Sequence, residues 1–257
     1  MKNSLDLTGR VAVVLGATSG LGKELAIGLA RHGADVVPSG RRLERIEHVC
    51  EEIRRAGKRT LAQAVDVTVR ASVQKLRDRI LEEFGRVHIL VNAAGATLRK
   101  PSVQISDAEW HALFKINLEG VFHACQVFYE PLKQSGTGRI INIASLGSFA
   151  AFYEVTPYCA AKAAVLSLTR SLGCEWAQDG ICVNAIAPGV FPTEMNAELL
   201  QGTERGREIL MRTPMRRFGR PEELVGAAVL LASEAASFIT GQCIVVDGGF
   251  LASGVNT

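Results

Sequence analysis

Arg10-Val11-Ala12-Val13-Val14-Leu15-Gly16-Ala17-Thr18-Ser19-Gly20-Leu21-Gly22 is the stretch that decides the fold. Its first half is a β-branched apolar run and reads as a strand. A helical pattern begins at Gly22 and runs to about His32. Between them lies a glycine-rich turn. Gly16 lets the chain turn sharply, while Gly20 and Gly22 remove side chains so that backbone and helix N-terminus can approach a pyrophosphate. The spacing is Gly-x-x-x-Gly-x-Gly, which carries little weight by itself. Its placement between a first strand and a first helix gives it meaning.

Outward from that stretch, strands and helices alternate. Ala34–Ser39, Thr60–Val65, Val87–Asn92, residues 140–144, Ile181–Ala187 and Ile244–Val246 read as strands. Pro38 marks a sheet edge or a strand end. Helices are expected over Arg42–Gly57, Arg70–Phe84, Ser106 to about Leu132 with a capping box from Ser106 to Glu109, residues 158–178, and from Pro221 onward. The strands are continuously apolar, as in a parallel sheet covered on both faces. The expected fold class is therefore α/β: one Rossmann-type domain over residues 1–257, a doubly wound parallel sheet of about seven strands with helices on both faces. Residues 190–220 break the rhythm, carry mixed charge and are the expected cover over a site.

The second strand ends in Ser39-Gly40-Arg41-Arg42, without the acid that usually accepts from a ribose 2′-hydroxyl. A guanidinium there suits a 2′-phosphate. Arg41 thus points to NADP(H) as the preferred cofactor, with NAD(H) second. The plainer alternative makes Arg41 and Arg42 solvated residues at a helix start.

Ser145 closes the apolar run Ile140-Ile141-Asn142-Ile143-Ala144, and Tyr158 and Lys162 follow in a helical stretch. The i, i+4 spacing puts both side chains on one helix face, roughly 6 Å apart along the axis. A hydroxyl, a phenol and an ammonium can then meet and move a proton on or off an oxygen. Spacing alone does not decide this, because Tyr129-Glu130-Pro131-Leu132-Lys133 repeats it. That copy has Ile116 where a hydroxyl would be needed, is interrupted by Pro131, and reads as a helix end near the surface.

Composition narrows the classes. Across 257 residues the net charge is only +3, with Lys and Arg scattered, which does not point to nucleic acid. No apolar run reaches membrane-spanning length, and the N-terminus does not read as a signal peptide. The six cysteines form no C-x-x-C pair and have no His at ligand spacing. They read as reduced, buried thiols of a cytoplasmic protein, and no metal site is expected.

Taken together, these residues resemble the short-chain dehydrogenase/reductase family over essentially the whole chain. The motifs are the Gly16–Gly22 turn, Asp66-Val67, Asn92-Ala93-Ala94-Gly95, Asn117-Leu118-Glu119-Gly120, Ser145, Tyr158, Lys162, Pro188-Gly189 and Thr193. Leu15 and Ala93 depart from the family's Thr and Asn, changes expected to alter packing beneath the cofactor rather than abolish binding. The resemblance implies a catalytic set of Asn117, Ser145, Tyr158 and Lys162. Tyr158 exchanges the proton, Lys162 lowers its pKa and holds the nicotinamide ribose, Ser145 bonds the reacting oxygen, and Asn117 holds a water that links Lys162 to solvent. It implies cofactor contacts from Gly16, Thr18, Ser19, Gly20, Leu21 and Gly22, from Asp66 and Val67 at adenine, and from Asn92, Ala93 and Gly95. Pro188, Gly189, Val190 and Thr193 would lie on the nicotinamide side. A homotetramer is the family's usual assembly.

For the substrate, Gly95–Pro101, Glu175-Trp176-Ala177 and Arg217–Glu223 resemble the gluconate 5-dehydrogenase and keto-deoxygluconate dehydrogenase branch. A small keto or hydroxy sugar acid is the expected partner, with Arg99 or Lys100 able to meet a carboxylate. Solvated loop charges are the alternative for both, and Trp176 and Phe218 read as packing residues. A 3-oxoacyl-carrier-protein reductase is the other enzymatic reading, opposed by Gly136 and Asp179 where such enzymes carry basic residues. A nucleotide-binding sensor or scaffold is the non-enzymatic one, opposed by the intact Ser145, Tyr158 and Lys162.

Overall fold

The computed structural model describes residues 3–194, 196–200 and 202–255. A seven-stranded sheet runs in the order β3-β2-β1-β4-β5-β6-β7. The strands are β1 (Val11–Leu15), β2 (Asp35–Gly40), β3 (Gln63–Ala64), β4 (Ile89–Asn92), β5 (Gly138–Ile143), β6 (Ile181–Pro188) and β7 (Cys243–Val246). Every pairing is parallel. Helices α1 (Gly20–Arg31), α2 (Leu43–Arg55), α3 (Arg70–Phe84), α4 (Asp107–Phe114), α5 (Gly120–Gln134), α6 (Thr156–Glu175), α7 (Ala197–Leu200), α8 (Glu204–Arg212) and α9 (Val225–Ala232) connect them.

The period-two rule sorts β1 between two cores. Ala12 and Val14 pack with Leu25 and Leu29 of α1, Ile53 of α2 and Val229 of α9. Val11, Val13 and Leu15 pack on the other face with Leu76 and Ile80 of α3, Phe128 of α5 and Val165 of α6. Phe128 is fully buried, so truncating it to Ala would cost about 3–5 kcal/mol. The strand order reverses between β1 and β4, and that is where an open α/β sheet leaves a crevice at its carboxyl ends. The register Leu15↔Asn92↔Asn142 brings the ends of β1, β4 and β5 level there.

Four expectations need correction. The third strand, read as Thr60–Val65, shrinks to Gln63–Ala64. The Val36 amide donates to the Arg59 carbonyl, but Pro38, two residues on, has no N–H to give on that side. Pairing resumes only at Ser39 and Gly40. Pro38 therefore sits inside a strand paired on both sides, next to an edge neighbour that is barely a strand.

The helix from Ser106 to Leu132 is broken into α4, a π-helical turn over Lys115–Glu119, and α5. The capping box is present. Asn117 causes the break by donating its side-chain amide to the Leu113 carbonyl at 2.9 Å, in competition with the backbone.

Pro131 does not interrupt its helix; it is buried inside α5, which continues to Gln134. Tyr129 and Lys133 lie near the surface, where they share Asp179 at 2.7 and 2.9 Å. Among the cysteines, Cys50 and Cys125 are buried, whereas Cys174 is exposed. No helix among the described residues is long and apolar enough to cross a membrane.

Candidate active site

The carboxyl ends of the strands open into a cleft of about 610 Å³. Its first wall is the glycine turn. The amides of Gly16 and Ala17 both donate to the Ser39 carbonyl at 2.9 Å, folding the turn over the end of β2. Gly16 has φ +87°, and a Cβ there would run into the Ala94 backbone. A Cβ on Gly22 would strike the Gly16 carbonyl. Gly22 thus serves packing inside the turn and also lines the cleft, as expected. Ser19 caps α1 with extended backbone and makes no side-chain cap bond, and no acid stands in the first turn. The first amides of α1 are left to meet an anion.

Both arginines after β2 line the cleft. Arg42, not the Arg41 singled out from the sequence, is tied to the turn: its guanidinium donates to Thr18 Oγ1 at 3.0 Å and Ser19 Oγ at 3.2 Å. Asp66 accepts from the amide and hydroxyl of Thr68 at 2.9 and 2.7 Å through one oxygen. Those bonds, with smaller help from Arg41 and Lys115, hold its carboxyl below the usual range. Val67, Leu21, Ala93, Gly95, Pro188, Gly189, Val190 and Thr193 line the cleft as expected. Thr193 reaches back over the turn, near the position a Gly20 Cβ would take, and is held by Asn196.

Two expected residues lie elsewhere. Asn92 points into the protein, not at the cofactor cleft, and donates to Asn142 Oδ1 at 2.8 Å. Asn142 in turn donates to Thr169 Oγ1 at 3.0 Å. This polar chain joins β4, β5 and α6 beneath the cleft floor. Asn117 is fully buried behind the wall. It clasps Ala96, accepting from its amide at 3.2 Å and donating to its carbonyl at 2.9 Å. Gly95 separates it from Lys162, because a Cβ there would meet Asn117 Oδ1 at 2.9 Å and Lys162 Nζ at 3.7 Å.

Ser145, Tyr158 and Lys162 converge in the cleft. Ser145 leaves β5 with extended backbone, and its hydroxyl accepts from the Gly147 amide at 3.0 Å. Gly147 lets this loop lie against Cys159, and Ser148 bonds the Lys162 carbonyl at 2.8 Å. Pro157 starts α6 and places Tyr158 in its first turn. Burial pushes the Tyr158 phenol up, and its contact with Ser145 draws it part of the way back. Burial pushes the Lys162 ammonium down to about 8. Its nitrogen lies 5.9 Å from the Tyr158 ring centroid. In the protein without cofactor, burial outweighs any lowering of the Tyr158 phenol; the positively charged nicotinamide ring of an oxidised cofactor would act in the lowering direction.

The far side of the cleft draws on the expected cover, residues 190–220, and on the loop before α6. Phe152, Val155, Cys159, Leu200, Ile209 and Arg205 close it. Arg99 and Lys100, expected to face a substrate, do not line it. Arg99 pairs with Glu154 at 2.9 Å, and Lys100 with both Glu109 oxygens at 2.8 Å. Trp176 is a packing residue as read, with its ring 4.9 Å from that of Tyr129.

A glycine-turned parallel sheet with a serine, tyrosine and lysine at the head of its crevice defines an oxidoreductase of CH–OH and C=O groups. Comparison narrows the class. A family profile described as "Enoyl-(Acyl carrier protein) reductase" matches residues 16–251. The 2-dehydro-3-deoxy-D-gluconate 5-dehydrogenase of Dickeya dadantii (strain 3937) is 39% identical over 97% of this chain and 98% of its own. The gluconate 5-dehydrogenase of Gluconobacter oxydans (strain 621H) is 38% identical over 96% and 97%. A crystal structure of a gluconate 5-dehydrogenase from Burkholderia cenocepacia J2315 in complex with NADP and tartrate superposes with a TM-score of 0.94. It is 37% identical and covers 98% of each chain. The chain belongs to the short-chain dehydrogenase/reductase family.

Proposed function

We propose that the protein interconverts a keto sugar acid and its hydroxy form with NADP(H). The observation that carries this reading is one continuous cleft with Arg42 over the glycine turn at one end and Tyr158, Ser145 and Lys162 at the other. The glycine cradle, the uncapped start of α1 and two guanidiniums fit a dinucleotide bearing a 2′-phosphate. The named relatives, and a similar structure in complex with NADP and the hydroxy acid tartrate, support the same choice.

When bound, the dinucleotide supplies or accepts the hydride. Tyr158 gives its hydroxyl proton to the substrate oxygen during reduction and takes it back during oxidation. Its raised pKa keeps that proton in place at neutral pH. Ser145 hydrogen-bonds the same oxygen. Lys162 holds positive charge beside the phenol and would hold the ribose hydroxyls of the bound dinucleotide. Both Asn117 amide hydrogens are spent on carbonyls, so any water it holds must use the remaining lone pair of Oδ1.

Carrier-protein substrates fit less well, because Asp179, at a position where such reductases carry a base, is an acid and pairs with Lys133. Exposed Trp110 on α4 and Phe122 on α5 support the family's homotetramer, to be checked by light scattering. The function is tested by NADPH consumption with 5-keto-D-gluconate against an acetoacetyl thioester. Turnover of the keto acid with no turnover of the thioester is expected; the reverse order would replace this reading.

A further inference from the structure

The substrate end of the cleft holds a cation, Arg205, that makes no ion pair among the described residues; Glu154 and Glu208 favour its charge only from a distance. Arg205 is the second residue of α8 and shares the cleft with Tyr158, Ser145 and Phe152. Its place is set by the backbone. Thr203 caps α8 by accepting from the Gly206 amide at 3.0 Å. Gly206 is buried, and a Cβ there would collide with the Leu200 carbonyl, so only glycine lets α8 seat so closely on the end of α7. The first turn of α8 thereby brings Arg205 against the loop before α6, where it donates to the Tyr153 carbonyl at 3.2 Å.

The charge around Arg205 is unbalanced. Glu154 is its nearest acid from that loop, but Glu154 already pairs with Arg99 at 2.9 Å. Glu208, one turn along α8, pairs with Arg212 at 3.6 Å. Partial burial, then the neighbouring Arg99, both press against the charge on Arg205. Two guanidiniums share one carboxylate. Among the described residues Arg205 has no ion-pair partner, although it stands in a wall otherwise built from Phe152, Val155, Leu200 and Ile209. An unpaired cation beside apolar walls is costly unless an anion arrives. A guanidinium fork matches a carboxylate with two parallel donors.

Resting on the functional reading above, we infer that Arg205, rather than Arg99 or Lys100, receives the substrate's carboxylate and so selects sugar acids over neutral polyols and ketoses. The carboxylate bonds the guanidinium while the reacting carbon lies toward Tyr158 and Ser145. Because Arg205 also holds the Tyr153 carbonyl, the same contact ties α8 to the loop that carries Glu154 and Val155.

The test is calorimetric binding of D-gluconate and of its neutral counterpart D-glucitol to the NADP⁺-saturated protein. It is run on the wild type, Arg205→Gln, Arg205→Lys and Arg99→Gln, with NADP⁺ affinity measured in each. The wild type should bind gluconate between about 10- and 100-fold more tightly than glucitol, the range a charged hydrogen bond provides. Arg205→Gln should erase that preference without changing glucitol or NADP⁺ binding, Arg205→Lys should keep part of it, and Arg99→Gln should keep most. A wild type with no preference, an Arg205→Gln variant that retains it, or an equal loss for both ligands, as from a merely structural role, overturns the assignment. Retained gluconate preference without any turnover of gluconate or 5-keto-D-gluconate would instead sink the proposed reaction and leave the carboxylate site standing.

Discussion

The ammonium nitrogen of Lys162 lies 2.8 Å from the carbonyl oxygen of Ile143, so the helix that carries the phenol is pinned to the last residue of β5. That bond offsets part of the cost of burying the charge, but burial still holds the group down to about 8. The consequence has a definite sign. Between about pH 8 and the ordinary lysine range the unfolded chain keeps the proton and the folded one releases it, so stability rises with pH across that window. NADPH binding should move the other way, because the site loses a charged donor as pH climbs through about 8. A pH series of NADPH dissociation constants should show this weakening in the wild type and not in Lys162→Met. Parallel curves for the two proteins would remove Lys162 from the cofactor site.

Cofactor choice should depend on Arg42 more than on Arg41, since Arg42 is the one fastened to Thr18 and Ser19 above the glycine turn. Arg42→Asp replaces a charge-assisted contact with repulsion. The ratio of kcat/KM for NADPH over NADH should fall by at least about 100-fold. Arg41→Asp should lower it less. A wild-type preference for NADH would contradict the reading of this end of the cleft.

The glycines allow a paired test. Alanine at Gly22 would drive its Cβ into the Gly16 carbonyl, and neither partner is a flexible side chain. Overpacking of this kind costs about 1–3 kcal/mol, and here it should also weaken NADPH binding. Alanine at Gly226 meets nothing within 4 Å and should stabilise by about 0.4–1 kcal/mol through the unfolded state. Thermal melts with and without NADPH compare the two. A Gly22→Ala protein as stable as the wild type would refute the packing role given to that hydrogen.

His88 should make the fold sensitive to acid. Its ring nitrogen accepts from the Val11 amide at 3.0 Å. Burial, then Arg10 and Arg86, push its pKa down to about 4. Between pH 6.5 and about 4 the unfolded chain takes up a proton that the folded one refuses, so stability falls as pH drops through that range. His88→Gln keeps an acceptor without the titration and should show a shallower loss of melting temperature. Equal slopes would mean that other groups govern the acid limb.

Much of this was legible in the amino-acid order. Apolar runs bounded by glycine and alternating with amphipathic segments specify a parallel, doubly covered sheet, and the seven strands follow that pattern. Ser145, Tyr158 and Lys162 were placed correctly because strand and helix periods determine where such side chains point. What was missed depended on contacts between distant segments. Asn92 looked like a cleft residue until its bond to Asn142, fifty residues away, turned it inward. The π-helical turn at Asn117 came from a side chain competing with the backbone, which no period reveals. Arg205 sits in a charged, irregular segment. Its segment was read as the cover over the site, but its own place in the cleft is set by the seating of Gly206 on Leu200, a contact between neighbouring helices that the sequence pattern does not show. Arg99 and Lys100 were plausible until Glu154 and Glu109 were seen to neutralise them.

The central claim is that the Tyr158 hydroxyl moves the proton. The most direct measurement is kcat with NADPH and a keto acid substrate for Tyr158→Phe beside the wild type, with NADPH affinity of both determined by calorimetry. The expected result is a loss in kcat of about 100- to 10,000-fold with NADPH affinity unchanged. A variant that keeps most of its turnover would contradict it.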